Sequence, residues 1–149
     1  MTAAWPGQRE WTAAEATAAL PLVQRIAADL LDAYRRWREA VEAFELTTVG
    51  TPSESARSEA ARRTADAQRI AVEVEAFRRE LATLDVRVMR VEVALLGFRS
   101  RRDGEIAPLY WMPGGGRPGY DWPEAAGTKG TSTSWPSLAH DVAAKTSRA

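Results

Sequence analysis

Few side chains in this sequence are of the kinds that carry out chemistry. Its 149 residues include no cysteine and one histidine, His140. Thiolate zinc, an iron–sulfur cluster, a disulfide framework and a cysteine nucleophile are therefore excluded, and a lone imidazole cannot build a multi-histidine metal site. Ser134 and Ser137 are the serines beside His140, but they lie in a Gly-, Ser-, Thr- and Lys-containing tail, and a catalytic triad needs a rigidly oriented base. Asp103 and Glu105 flank a turn and read as solvated charges, not as an acid/base pair held in a pocket. Gly114, Gly115 and Gly116 suggest a phosphate cradle by composition alone, since no Gly-Lys-Ser/Thr ending follows and no amphipathic helix begins there. Arg99, Arg101 and Arg102 could meet phosphate, but without a wider basic face interleaved with aromatics they read as a solvated turn. The expectation is no catalytic residue, no cofactor, no metal and no enzyme.

Two groups remain that could bind something. Tyr110, Trp111 and Trp122, with Asp121 and Glu124 nearby, could line a cleft, because aromatics supply stacking area and a few carboxylates give orientation. The plainer reading makes them core and cover for a small sheet, which needs large side chains to exclude water. The second group is a pair of apolar seams on long helices.

The first helix opens at Thr12, whose side chain can cap the Glu15 amide while Glu15 reaches back, a capping box. Val23, Ala27, Leu30, Tyr34, Trp37, Val41 and Phe44 follow at spacings of four and three, which predicts a helix over about 13–46 with one buried seam. Pro21 should kink or briefly break it. Gly50 reads as a helix-ending glycine, and Thr51-Pro52-Ser53-Glu54 as a second capping box with proline at the first helical position. The second helix, about 52–84, repeats the seam through Ala56, Ala60, Arg63, Ala67, Ile70, Val74, Phe77, Leu81 and Leu84. The short connection makes the two antiparallel. Arg63 should snorkel or pair with Glu42 or Glu45 across the hairpin.

After Leu84 the β-branched residues Val86, Val88, Val91 and Val93 predict strands over about 86–92, 94–101 and 105–112. Asp103-Gly104 is the turn of a two-residue hairpin. If Arg102 faces Glu105, Phe98 meets Leu109, Leu96 meets Trp111, and Pro108 falls opposite Arg99 with its missing donor pointing outward, so 105–112 is an edge strand and 94–101 is central. Residues 120–124 could add a short extended piece. The fold class is α+β: a long antiparallel helical hairpin, then a small three-stranded antiparallel sheet. One domain, 1–126, is followed by a flexible tail, 127–149.

Twenty basic and 20 acidic side chains give no net charge, so nothing draws the whole chain to nucleic acid or an anionic membrane. Eighteen of the basic residues are arginine. No apolar run is long enough to span a bilayer, and the first ten residues lack the plan of a secretory signal. A bacterial cytoplasmic location is expected.

The order of parts resembles the bacterial domain-of-unknown-function family 2203 over roughly residues 11–130. The residues that carry the likeness are Trp11-Thr12, Ala19 to Pro21, Leu84-Asp85-Val86, the Asp103-Gly104 turn and Leu109-Tyr110-Trp111. Tyr110, Met112 and Pro123 stand where the family has cysteine, arginine and histidine; Asp85 and Ala94 replace glycines, and Arg99 a proline. The resemblance implies a fold, and any chemistry resting on that cysteine or histidine would be missing here.

The leading functional expectation is a non-enzymatic module that acts in homo-oligomerisation or as an accessory subunit binding another protein in a larger assembly. It would meet itself or another protein through the helix seams at Leu30, Tyr34, Trp37, Ile70, Val74 and Phe77. The alternative is a small-ligand module using Tyr110, Trp111, Trp122 and Glu124.

Overall fold

The computed structural model describes residues 5–47 and 53–130. The expected Gly50 helix end, the Thr51 and Pro52 portion of the second cap, and the tail beyond 130 with Ser134, Ser137 and His140 lie outside the described residues.

The first helix, α1, is Ala13–Thr47. Its start is the expected capping box: the Thr12 amide donates to Glu15 Oε1 at 2.9 Å, and the Glu15 amide donates to Thr12 Oγ1 at 3.1 Å. Pro21 does not break α1, which runs through it without interruption. An interior proline costs roughly 3 kcal/mol, and here Leu20, Val23, Ile26 and Ala27 are buried around it. Burying three large aliphatic side chains contributes about 1.5–3 kcal/mol each, enough to carry the helix past the missing donor.

The second helix, α2, is Glu54–Thr83. Its cap is Ser53, whose hydroxyl accepts from the Ala56 amide at 3.0 Å. With Ser53 capping, the helix starts two residues later than the proline signal indicates. The α1 start lies beside the α2 end, where the Trp11 indole donates to the Asp85 carbonyl at 3.3 Å, as an antiparallel hairpin requires.

The sheet has the order β1 (Val86–Arg90), β2 (Leu95–Arg102), β3 (Glu105–Trp111), all antiparallel. Leu96 opposes Trp111, Phe98 opposes Leu109 and Arg99 opposes Pro108, with Arg102 against Glu105 at the turn. This is the expected register, with β2 central and β3 an edge strand. Asp103 and Gly104 take φ of 53° and 82°, the doubly positive geometry whose twist matches a hairpin.

The first strand is shorter than expected. It ends at Arg90, and Val91–Val93 form a 3-10 turn closed by Ala94 at φ 51°. Between Val88 and Arg90 the register shifts, leaving Met89 as an extra residue. Asp85 also has positive φ, 60°. These are the two positions at which the family resemblance implies glycine, and the left-handed backbone supplies the reason. Residues 120–124 add no strand. A single bridge joins Tyr110 to Gly119, and Glu124–Ala126 form a 3-10 turn.

The sheet separates two cores. Val86, Leu96, Phe98, Leu109 and Trp111 pack with Leu30, Trp37, Val74 and Leu81 of the helices; Met89, Leu95 and Tyr110 pack on the opposite face with Trp122 and Ala126.

Candidate functional site

The aromatic group does not converge. Successive strand residues point to opposite faces, so Trp111 enters the helix-side core while Tyr110 enters the other cluster. Trp111 is 4% exposed and its indole donates to the Gly116 carbonyl at 3.0 Å. Tyr110 meets Trp122 edge-to-face at 5.2 Å, and the Trp122 indole donates to the Gly127 carbonyl at 2.9 Å. Glu124 is exposed at the start of the last 3-10 turn. The loop after β3 is thus pinned under the sheet by its own tryptophans. Tyr110, Trp111 and Trp122 pack as cover for the two faces of the sheet, and the exposed Glu124 does not join them.

The arginines at the hairpin are also used structurally. β1 pairs with β2 only as far as Phe98, which leaves the β2 edge open beyond it. Residues 8–11 close that gap. The Trp11 amide donates to the Arg99 carbonyl at 2.7 Å, Arg99 Nη1 donates to the Gln8 carbonyl at 2.7 Å, and the Ser100 hydroxyl donates to the Trp11 carbonyl at 2.5 Å. Arg101 grips Glu10 through a guanidinium nitrogen at 2.6 Å. That hydrogen bond, with the charges of Arg101 and Arg99, holds the Glu10 carboxyl below its ordinary range. The Arg102 guanidinium lies 5.0 Å from the Tyr120 ring centroid. Nothing local in the sequence signals this strap, because the partners are about 90 positions apart.

Of the predicted seam residues, Leu30, Tyr34, Trp37 and Val74 are buried, whereas Ile70 and Phe77 are half-buried. Over this stretch the seams pack within the chain itself, with Ile70 and Phe77 left partly open. The chain's own sheet covers them, because Val91, Leu96, Phe98, Leu109 and Trp111 occupy the same core.

Farther out the picture changes. None of the residues 38–46 or 53–66 is buried. A helix of 35 residues is roughly 52 Å long and a strand of eight roughly 27 Å, so the sheet is too short to back the whole hairpin. The outer arm carries Leu46 at 75% exposure. Its charges are laced along the helices: Arg62 and Arg63 to Glu59, Arg38 to Glu42, Arg69 to Asp66. Arg63 thus pairs within α2, not with Glu42 or Glu45. At the arm's base Arg36 bridges Asp32 at 3.1 Å and Glu73 at 3.0 Å, and the Glu73 hydrogen bond, ahead of Asp32, raises the guanidinium's pKa.

Two open depressions flank the hairpin. One, of about 420 Å³, is lined by Arg36, Arg63, Arg69, Glu39, Asp66 and Glu73 over a floor of Ala40, Ala43 and Ile70. Its three positive and three negative side chains give no preferred ligand charge. The other, of about 380 Å³, is mostly apolar and lies between Trp11, Ala19, Leu22 and Leu84. Among the described residues no group of three or more His, Cys, Asp or Glu is placed to hold a metal ion, and no helix is long and apolar enough to cross a membrane.

A family model described as "Uncharacterized conserved protein (DUF2203)" matches residues 9–130. No curated protein and no solved structure matches the chain.

Proposed function

We propose that this chain, which belongs to the DUF2203 family of uncharacterized conserved proteins, is a non-enzymatic interaction module that associates with a second copy of itself through the projecting arm of its helical hairpin. The observation that carries this reading is the arm itself: two helical segments, 38–46 and 54–66, with no buried residue, extending from a body in which the sheet covers Leu30, Tyr34, Trp37 and Val74. Helices gain most of their stability by burying an amphipathic face, and an arm whose face is only half covered gains from a partner. The ionisable side chains support the same reading, since those in the ion pairs of the arm lie on open helix surfaces. The resemblance and the absence of cysteine agree with a bacterial cytoplasmic setting.

The ligand-binding alternative draws no support from the aromatic group, whose members face opposite sides of the sheet. Sedimentation velocity from micromolar to millimolar concentrations tests the proposal. A mass-weighted coefficient that rises with concentration is the expected result, and a monomer at every concentration overturns it.

A further inference from the structure

The outer side of α1 carries a pattern that reads the same from both ends. At 100° per residue, Leu31, Arg35, Arg38, Glu42 and Leu46 fall within an arc of about 80°, roughly a third of a turn from the buried seam, with Glu39 at its margin. In chain order the six are apolar, positive, positive, negative, negative, apolar. Leu31 is half-buried and the other five are exposed.

We infer that α1 pairs antiparallel with α1 of a second copy about a two-fold axis between Arg38 and Glu39. This rests on the self-association proposed above and adds its surface and register. An isologous contact must be self-complementary, and this axis meets that demand. It sets Arg35 against Glu42 of the second copy, Arg38 against Glu39, and Leu31 against Leu46, each twice. Leu46, 75% exposed in the single chain, gains an apolar neighbour.

Existing contacts leave these groups available. Arg35 and Glu39 form no ion pair among the described residues, and Arg38 meets Glu42 only at 3.8 Å with both side chains more than half exposed. The axis also opposes Asp32 with Glu45. Those two lie about 140° apart around the helix, at opposite margins of the face, and Asp32 is already engaged by Arg36 at 3.1 Å. Parallel pairing of the same faces would instead set like charges together.

The size of the contact fixes its strength. Leu31 to Leu46 spans about 23 Å of a helix about 10 Å wide, a patch of roughly 200–300 Å² per copy, well below the roughly 1,200–2,000 Å² of total buried surface typical of stable complexes. The association is therefore weak and loses strength as salt screens its exposed ion pairs.

Sedimentation equilibrium of the full chain and two charge variants provides the test. Arg35→Glu with Arg38→Glu makes the face wholly negative, and Glu39→Arg with Glu42→Arg makes it wholly positive. Each variant alone should lose at least tenfold in association, and an equimolar mixture should recover it as a mixed dimer. If the unaltered chain associates but neither variant changes that, this face is overturned while self-association stands. If the unaltered chain stays monomeric, the broader reading fails with it. Leu46→Gln, a single exposed change, supplies an independent check should a charge variant lose its helical circular dichroism: it should weaken the dimer severalfold, and unchanged association counts against the face.

Discussion

Replacing Ser100 with alanine probes the tie between the N-terminal strap and the sheet. Ser100 is 2% exposed, its hydroxyl donates to the Trp11 carbonyl at 2.5 Å, and it lies 3.3 Å from the Tyr120 hydroxyl. Alanine deprives the carbonyl of that donor in a place where Trp11 is only 4% exposed. A neutral hydrogen bond contributes about 0.5–1.5 kcal/mol net, whereas a stranded buried acceptor costs about 1–3 kcal/mol. Ser100→Ala should therefore lower the unfolding free energy by about 1–3 kcal/mol. In a chain near 150 residues each kcal/mol moves Tm by roughly 2–4 °C, so a drop of about 2–12 °C is expected. Calorimetry reads Tm, and urea unfolding followed by tryptophan fluorescence reads the free energy. Tyr120→Phe serves as the comparison, because its hydroxyl is less buried and also donates to the Arg101 carbonyl at 3.1 Å; it should cost less than Ser100→Ala. A Ser100→Ala protein within about 0.5 kcal/mol of the parent, the range of an ordinary surface change, would show that the strap is not held as described.

Three further outcomes follow from the backbone and the strap. Gly104→Ala should destabilise by about 1–2 kcal/mol in urea unfolding, because the new methyl meets nothing within 4 Å and the whole effect is the left-handed backbone at φ 82°; an unchanged midpoint would contradict that geometry. Asp85→Gly should raise stability by up to about 1 kcal/mol, since Asp85 holds φ 60° where glycine is unstrained, and a lower Tm would show that its side chain contributes more than the strain costs. The Glu10 carboxyl is lowered chiefly by its hydrogen bond from Arg101, and that of Glu15 by the Thr12 amide and then the Thr12 hydroxyl. A carboxyl with a depressed folded pKa stabilises fully above its unfolded value, 4.5 here, and loses that contribution as pH falls through the folded value. Tm should thus fall with acidification below about pH 4.5, less steeply in Glu10→Gln and Glu15→Gln; parallel curves for parent and variants would refute the assignment.

Much of the fold was legible because its signals are local or periodic. The Thr12–Glu15 box, the seam through Val23 to Trp37, and the Asp103-Gly104 turn each depend on residues within a few positions of one another, and fixing the turn fixes the whole β2–β3 register. The errors came where a local preference met a tertiary term. Pro21 predicts a kink or a break, and no break occurs, because the burial of its neighbours holds the helix. Val91 and Val93 favour a strand, yet the chain turns there through a 3-10 element and a left-handed Ala94. Proximity in sequence does not bring the aromatic group together, because neighbouring strand positions put Tyr110 and Trp111 on opposite faces.

The sequence by itself determined the two amphipathic rods, the Thr12–Glu15 cap, the hairpin register and the absence of cysteine, because each follows from residue type and short-range spacing. Only the tertiary structure decided which stretch of the rods remains open. The sheet is shorter than the helices, so it consumes the seam around Leu30, Trp37 and Val74 and stops short of the arm. It also decided the use of Arg99, Ser100 and Arg101, whose partners at Gln8, Trp11 and Glu10 arrive from the other end of the chain. Contacts across such separations depend on how packed layers meet, and no local pattern encodes that meeting.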